Sequence, residues 1–150
     1  MDDELKLIYS DCTNESNIRG KLKLIREITA HYYSTIVCDL TYDNYEKELE
    51  IVRLLYVCSH LLLNSLNVNR SNLKVEYLEQ QFNNTTNQRF GNCPLNFLKE
   101  ILTDFRKATK GHYHNYSSLD ITQERLNEEI YTLKMHGEII INLITILKNQ

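Results

Sequence analysis

Residues 43–66 read DNYEKELEIVRLLYVCSHLLLNSL and form the most continuously patterned stretch of this 150-residue chain. Apolar or small residues recur there at alternating steps of four and three positions, which is the spacing of one face of an α-helix. Asp43, with Glu46 three positions later, forms a capping-box-like start. The stretch therefore predicts a long central helix. Its first row comprises Tyr45, Leu49, Val52, Tyr56, Ser59, Leu63 and Leu66, and a second row comprises Ile51, Leu55, Cys58 and Leu62.

Helical spacing also appears on both sides of this stretch. Before it, apolar positions beginning at Ile18 predict a helix over about 17–37, preceded by an acidic lead-in. After it, Ser71 or Asn72 can cap a shorter helix. The polar run 83–92 then predicts the longest loop of the chain.

Two further helices are predicted in the last third of the chain. Pro94 suits the first turn of one helix, and Gly111 is placed to end it. Residues 112–118 then predict a loop before a final helix that begins near Asp120 and either continues through Gly137 or divides there. No segment shows the alternation of a strand. The sequence predicts an all-α, single-domain bundle over residues 1–150, with four long helices and one or two short ones.

Composition narrows the classes of function. The formal net charge of -3, with 42% hydrophobic and 25% charged residues, is that of an ordinary soluble domain. A broadly basic nucleic-acid-binding surface is excluded, so any contact with RNA or DNA must be local. One proline and four glycines are few for this length, which favours long uninterrupted helices.

The sequence also indicates the cellular compartment of the protein. The acidic start, Met1 to Glu4, is unlike a signal peptide, and no apolar run reaches the roughly 20 residues that span a bilayer. The four cysteines form no C-x-x-C pair and are interpreted as reduced thiols. We therefore predict a cytoplasmic protein without a membrane segment. Five glycosylation sequons leave a secreted protein with a removed signal peptide as the alternative: Asn14, Asn69, Asn83, Asn84 and Asn115.

Residues 105–116, FRKATKGHYHNY, carry the densest set of chemical groups. The pattern predicts that a helix delivers Arg106 in its last turn, stops at Gly111, and leaves His112 and His114 in a short loop. A guanidinium beside an imidazole suits cleavage of RNA through its 2′-hydroxyl, because the histidine moves the proton and the arginine holds the phosphate.

These residues resemble the HEPN superfamily of small all-helical proteins, which carry Arg, four to six residues and then His before the last helix. Arg106 and His112 fit with five residues between them, and His114 to Tyr116 has the His-x-Tyr form of several HEPN families. The chain departs from many members at Lys107, where they carry Asn or Asp.

The resemblance implies a metal-independent endoribonuclease of toxin or defence type, without a cofactor. It would act as a homodimer, with an antitoxin or regulatory protein as a further partner. Arg106 and His112 would be catalytic. The RNA-binding residues would be Lys107, Lys110, His114 and Tyr116.

Other interpretations of the same residues stay open. Arg106, Lys107 and Lys110 could simply stabilise the negative end of the helix macrodipole, with Gly111 as a C-cap. A metal site at His112 and His114 lacks a third ligand nearby in sequence, so none is predicted. Two more matches to the spacing lie inside predicted helices, where we expect solvated faces with local ion pairs. They are Arg26 with His31 and Arg53 with His60.

A rival of a different class is a non-catalytic helical module that binds other proteins. One version is a viral Bcl-2-like bundle, which would take an amphipathic partner helix on its surface. The chain contains no tryptophan and lacks the Asn-Trp-Gly-Arg signature of that family. The other version is a secreted four-helix cytokine, for which two disulfides would be expected.

Overall fold

A computed structural model of the protein describes residues 3–35, 39–41, 43–66, 74–90 and 95–148. These residues contain six α-helices and no strand, which confirms the predicted all-α bundle. The helices are α1 (Asp3–Asn14), α2 (Ile18–Thr35), α3 (Tyr45–Leu66), α4 (Val75–Phe90), α5 (Leu95–Tyr116) and α6 (Gln123–Lys148).

The central helix is α3, as the patterned stretch predicts. It packs against α1, α2, α4 and α6. Leu54 and Val57, which belong to neither apolar row, are fully buried as well, so α3 is enclosed on almost every side. Among the described residues α3 alone is long and apolar enough to cross a membrane, and half of its most apolar window is buried, as in a core helix.

Helices α2, α5 and α6 complete the main core and position the candidate site. Helix α2 packs on α3, α5 and α6, and α5 packs on α6. The ring of Tyr32 from α2 meets that of Phe105 from α5 edge-on, with ring centroids 5.5 Å apart. Edge-to-face pairs of this kind stabilise a core beyond their buried area.

The structure contains one helix that was not predicted, and one predicted loop is wrong. The acidic lead-in forms α1, which buries Leu5, Ile8 and Cys12 at steps of three and four residues. The run 83–92, predicted as a loop, continues α4 as far as Phe90. Gln is a good helix former, and Asn and Thr cost at most about 0.7 kcal/mol each relative to Ala, so a helix already nucleated further upstream extends through them. The predicted caps at Ser71 or Asn72 and at Pro94 lie outside the described residues.

The interpretation of the cysteines as reduced thiols is confirmed for Cys12 and Cys58, which are free and fully buried. The Cys12 thiol faces the carbonyl oxygen of Lys21 at 3.7 Å. Burial and the neighbouring Cys12 thiol raise the pKa of Cys58 well above its usual range. Cys38 and Cys93 lie outside the described residues.

Candidate functional site

The predicted end of α5 at Gly111 is wrong, because α5 continues to Tyr116. Gly111 has ordinary helical φ, and a Cβ at this position would meet no atom within 4 Å. A glycine inside a helix costs only about 1 kcal/mol relative to alanine. Thr109 and His112 are buried on either side of Gly111, and this tertiary packing outweighs that cost. His112 and His114 therefore lie on a helix and not in a loop.

This continuity separates the two groups that the sequence predicts as catalytic. Arg106 and His112 are six residues apart, and at about 100° per residue their side chains leave the helix about 120° apart. Arg106 faces α3, whereas His112 faces α6. The two residues therefore contact different carboxylates.

Arg106 is held by Glu48 of α3. Its Nε donates to Oε1 and its Nη2 to Oε2, each at 2.7 Å. The Tyr32 hydroxyl of α2 donates to the same Oε1 at 2.7 Å. The hydrogen bonds that Arg106 donates to Glu48, together with the charge of that carboxylate, raise the pKa of Arg106 in spite of burial. This Tyr–Glu–Arg cluster joins α2, α3 and α5.

His112 lies in a second cluster, around Glu129 of α6. The Nε2 of His112 is 3.4 Å from Oε1 of Glu129, although neither ring nitrogen makes a hydrogen bond to any described residue. The Nε and Nη2 of Arg26 each donate to Glu129 at 2.7 Å, and its Nη1 donates to the carbonyl oxygen of Leu119 at 2.9 Å. An arginine and a histidine do meet on one carboxylate, but the arginine is Arg26.

Burial sets the electrostatics of this second cluster. His112 is 3% exposed and Glu129 is fully buried. Burial and the charge of His112 lower the pKa of His136, whose ring lies 5.9 Å from that of His112, to about 4. Burial opposes ionisation of Glu129, but His112 and Arg26 outweigh it and lower the pKa of that carboxyl group.

The predicted RNA-binding residues divide between two surroundings. Lys107, Lys110 and His114 are exposed on one face of α5. Tyr116 instead turns towards the buried cluster, with its ring 4.9 Å from that of His112.

Two further aromatic rings, which the sequence does not single out, adjoin His114. Tyr33 of α2 stacks on Tyr113 at 4.9 Å, and both rings meet His114 edge-on at 5.6 and 5.7 Å. We name these three residues, with Lys107 and Lys110, the aromatic–basic patch.

The arginines of the other two Arg–His matches also join one helix to another. Nη1 of Arg53 in α3 donates to Glu79 of α4 at 2.6 Å, and the Tyr9 hydroxyl of α1 donates to the same carboxylate at 3.0 Å. The predicted local ion pair of Arg53 exists, with Glu50 at 3.7 Å. However, the Arg53 side chain is only 16% exposed, so the prediction of a solvated face is wrong. All three arginines of the repeated motif bind a glutamate on another helix.

The glutamate partners are what sequence reasoning missed, although the sequence carries a signal for two of them. Glu48 precedes the apolar row of Ile51 and Leu55 at the same steps of three and four. Glu129 falls between Leu126 and Leu133 in the same way. A carboxylate inside an apolar row must be buried and therefore paired.

Comparisons with known proteins add no relationship. No protein-family model matches the chain, and no curated protein or solved structure matches it. Within the described part of the chain, no three His, Cys, Asp or Glu residues are grouped so that they could hold a metal ion.

Proposed function

We propose that the chain is a non-catalytic helical module that binds other proteins. The observation that carries this proposal is the separation of Arg106 and His112: Arg106 is bonded to Glu48 of α3, whereas His112 lies 3.4 Å from Glu129 of α6. Their positions serve contacts between helices, and His112 at 3% exposure offers little access to a substrate. What the surface does present is exposed apolar side chains, chiefly Tyr131 and Leu7, both 63% exposed.

Of the two versions of such a module, the free thiols favour the intracellular, Bcl-2-like one. Cys12 and Cys58 are buried without a disulfide, whereas a secreted cytokine with two disulfides would use all four cysteines. An apolar central helix enclosed by its neighbours also suits a bundle that binds partners on its surface. A cytoplasmic location belongs to this proposal.

The decisive experiment incubates the purified chain with single-stranded RNA in EDTA beside the variant His112→Gln. We expect no cleavage by either protein, because no Arg106–His112 pair is assembled. Cleavage by the wild-type chain that His112→Gln abolishes would overturn the proposal. Circular dichroism of both proteins checks that any loss of cleavage in the variant is not caused by a loss of folded structure.

The second candidate is the HEPN-like endoribonuclease, a metal-independent enzyme of toxin or defence type. Two observations favour it. The aromatic–basic patch places stacking rings beside Lys110, which suits unpaired bases and phosphates. The buried cluster brings His112 and Arg26 to one carboxylate. If this enzyme exists, His112 moves the 2′-hydroxyl proton and an arginine stabilises the phosphate, within a homodimer controlled by an antitoxin or regulatory protein.

Binding of labelled single-stranded RNA tests this second candidate separately from cleavage. Fluorescence anisotropy compares the wild-type chain with Tyr113→Ala and with Tyr131→Ala, a tyrosine exposed on another helix. The ribonuclease candidate requires binding that Tyr113→Ala weakens and Tyr131→Ala does not. Equal binding by all three proteins, or none, eliminates it.

A further inference from the structure

The solvent side of α6 carries an apolar pair between charged residues. Tyr131 and Met135 are 63% and 43% exposed and are four residues apart, so they lie side by side on the helix. Glu124, Asn127 and Glu128 are exposed on the same side. We name these five residues the outer face of α6. The opposite side packs into the core through Leu126, Ile130 and Leu133.

The apolar part of the outer face is suited to a protein partner. Exposed apolar side chains are ordinary singly, but Tyr131 and Met135 adjoin each other. Tyrosine and methionine are enriched in protein interfaces, and the flexible thioether adapts to the shape of a partner.

The charge of the outer face selects the kind of partner. Neither Glu124 nor Glu128 makes an ion pair with a described residue, while nearby Lys134 lies 4.0 Å from Glu138. The outer face itself therefore carries two carboxylates and no basic residue, with Arg125 and Lys134 on its flanks. A second copy of the chain would add its own Glu124 and Glu128 to the interface and so raise its negative charge, whereas a basic partner would neutralise these carboxylates.

We propose that the outer face of α6 binds a basic amphipathic α-helix of another protein. Residues 124–135 extend over about 17 Å, so a partner helix of about three turns matches them. Its apolar positions would contact Tyr131 and Met135, and its lysine or arginine side chains would pair with Glu124 and Glu128. This inference rests on the proposed function, for which it names the surface and the partner chemistry.

The test uses a synthetic Leu/Lys amphipathic helix of 14 residues as the probe, added to the ¹⁵N-labelled chain. An otherwise identical Leu/Glu peptide is the control for charge. We expect the Leu/Lys peptide to shift the amide signals of α6 around Tyr131, and the Leu/Glu peptide to shift none of them. Binding should weaken as salt is added, because exposed charges are screened.

Matched variants separate this face from the rest of the surface. Tyr131→Ser is compared with Tyr77→Ser, because Tyr77 of α4 is also exposed, at 53%. We expect about tenfold weaker binding of the Leu/Lys peptide by Tyr131→Ser, and unchanged binding by Tyr77→Ser. Glu124→Lys with Glu128→Lys should abolish the preference for the basic peptide.

The outcomes distinguish this surface from the wider proposal. If the peptide binds but shifts signals elsewhere, or Tyr131→Ser binds it normally, the assignment to α6 is wrong and the module function survives. Failure of the Leu/Lys peptide to bind overturns the assignment of a basic partner to α6, and His112-dependent RNA cleavage overturns the module function as well. A dimer in sedimentation that Tyr131→Ser dissociates overturns the choice of partner in favour of a second copy.

Discussion

The guanidinium of Arg106 donates two hydrogen bonds of 2.7 Å to the carboxylate of Glu48, and this pair joins α5 to α3. Glu48 has a side chain only 6% exposed, and Arg106 one that is 23% exposed. A carboxylate that is nearly removed from water needs such a partner. Arg106 therefore stabilises the contact between α5 and α3.

Replacing this arginine tests that role. Among the described residues, Arg106→Met leaves the buried Glu48 carboxylate with the Tyr32 hydroxyl as its one hydrogen-bond partner, so we expect a loss of about 2–3 kcal/mol in the free energy of unfolding. Urea unfolding followed by circular dichroism measures it. The neighbouring Lys107→Met, at an exposed position, should change stability by less than about 0.5 kcal/mol. Equal midpoints for the two variants would contradict the structural role.

The continuation of α5 through Gly111 can be tested by replacing this glycine with alanine. A Cβ at Gly111 meets nothing within 4 Å, and its φ is not positive. Gly111→Ala should therefore stabilise the protein by about 0.5–1 kcal/mol, because alanine favours the helix and restricts the unfolded chain. At Gly20 a Cβ would meet the Glu15 side chain at 3.1 Å, so Gly20→Ala should gain less. Thermal unfolding of both variants measures this, and a loss of stability in Gly111→Ala would indicate a helix end there.

The helices were predictable where apolar spacing repeats over several turns, as it does in α3. Their ends were not predictable, for two reasons. At Gly111 tertiary packing outweighs the tendency of glycine to end a helix, and the polar run of α4 extends a helix that is already nucleated upstream. For the site, the sequence identified Arg106 and His112 but not their directions. Those directions depend on Glu48 and Glu129, which lie far away in the chain and meet them only in the folded bundle.

The lowered pKa of His136 leads to a prediction of how the stability of the protein depends on pH. Burial and the charge of His112 lower its pKa to about 4 in the folded chain, against about 6.5 when unfolded. Between these two pKa values His136 binds a proton in the unfolded state but not in the folded state. The free energy of unfolding therefore falls as the pH falls below 6.5. As the pH falls from 7.5 to 5, His136 should therefore lower the free energy of unfolding by about 2 kcal/mol.

The variant His136→Gln, which cannot take up that proton, isolates the contribution. Urea midpoints of the wild-type chain and the variant are compared between pH 7.5 and 5, above the range in which carboxylates titrate. We expect a shallower loss of stability in His136→Gln. Some loss should persist, because burial lowers the pKa of His60 as well. Identical pH profiles of the two proteins would rule out this role of His136.

The thiols of Cys12 and Cys58 provide a test that also bears on the compartment. In the variant Cys38→Ser/Cys93→Ser, these two are the only cysteines left. Both are fully buried, and the raised pKa of Cys58 keeps its thiol protonated, so a thiol reagent should react slowly with the native protein. In denaturant without a reductant, two thiols per chain should react at once. No reaction in denaturant would mean that Cys12 and Cys58 are joined in a disulfide, and the case for an intracellular module over a secreted one would fail with it.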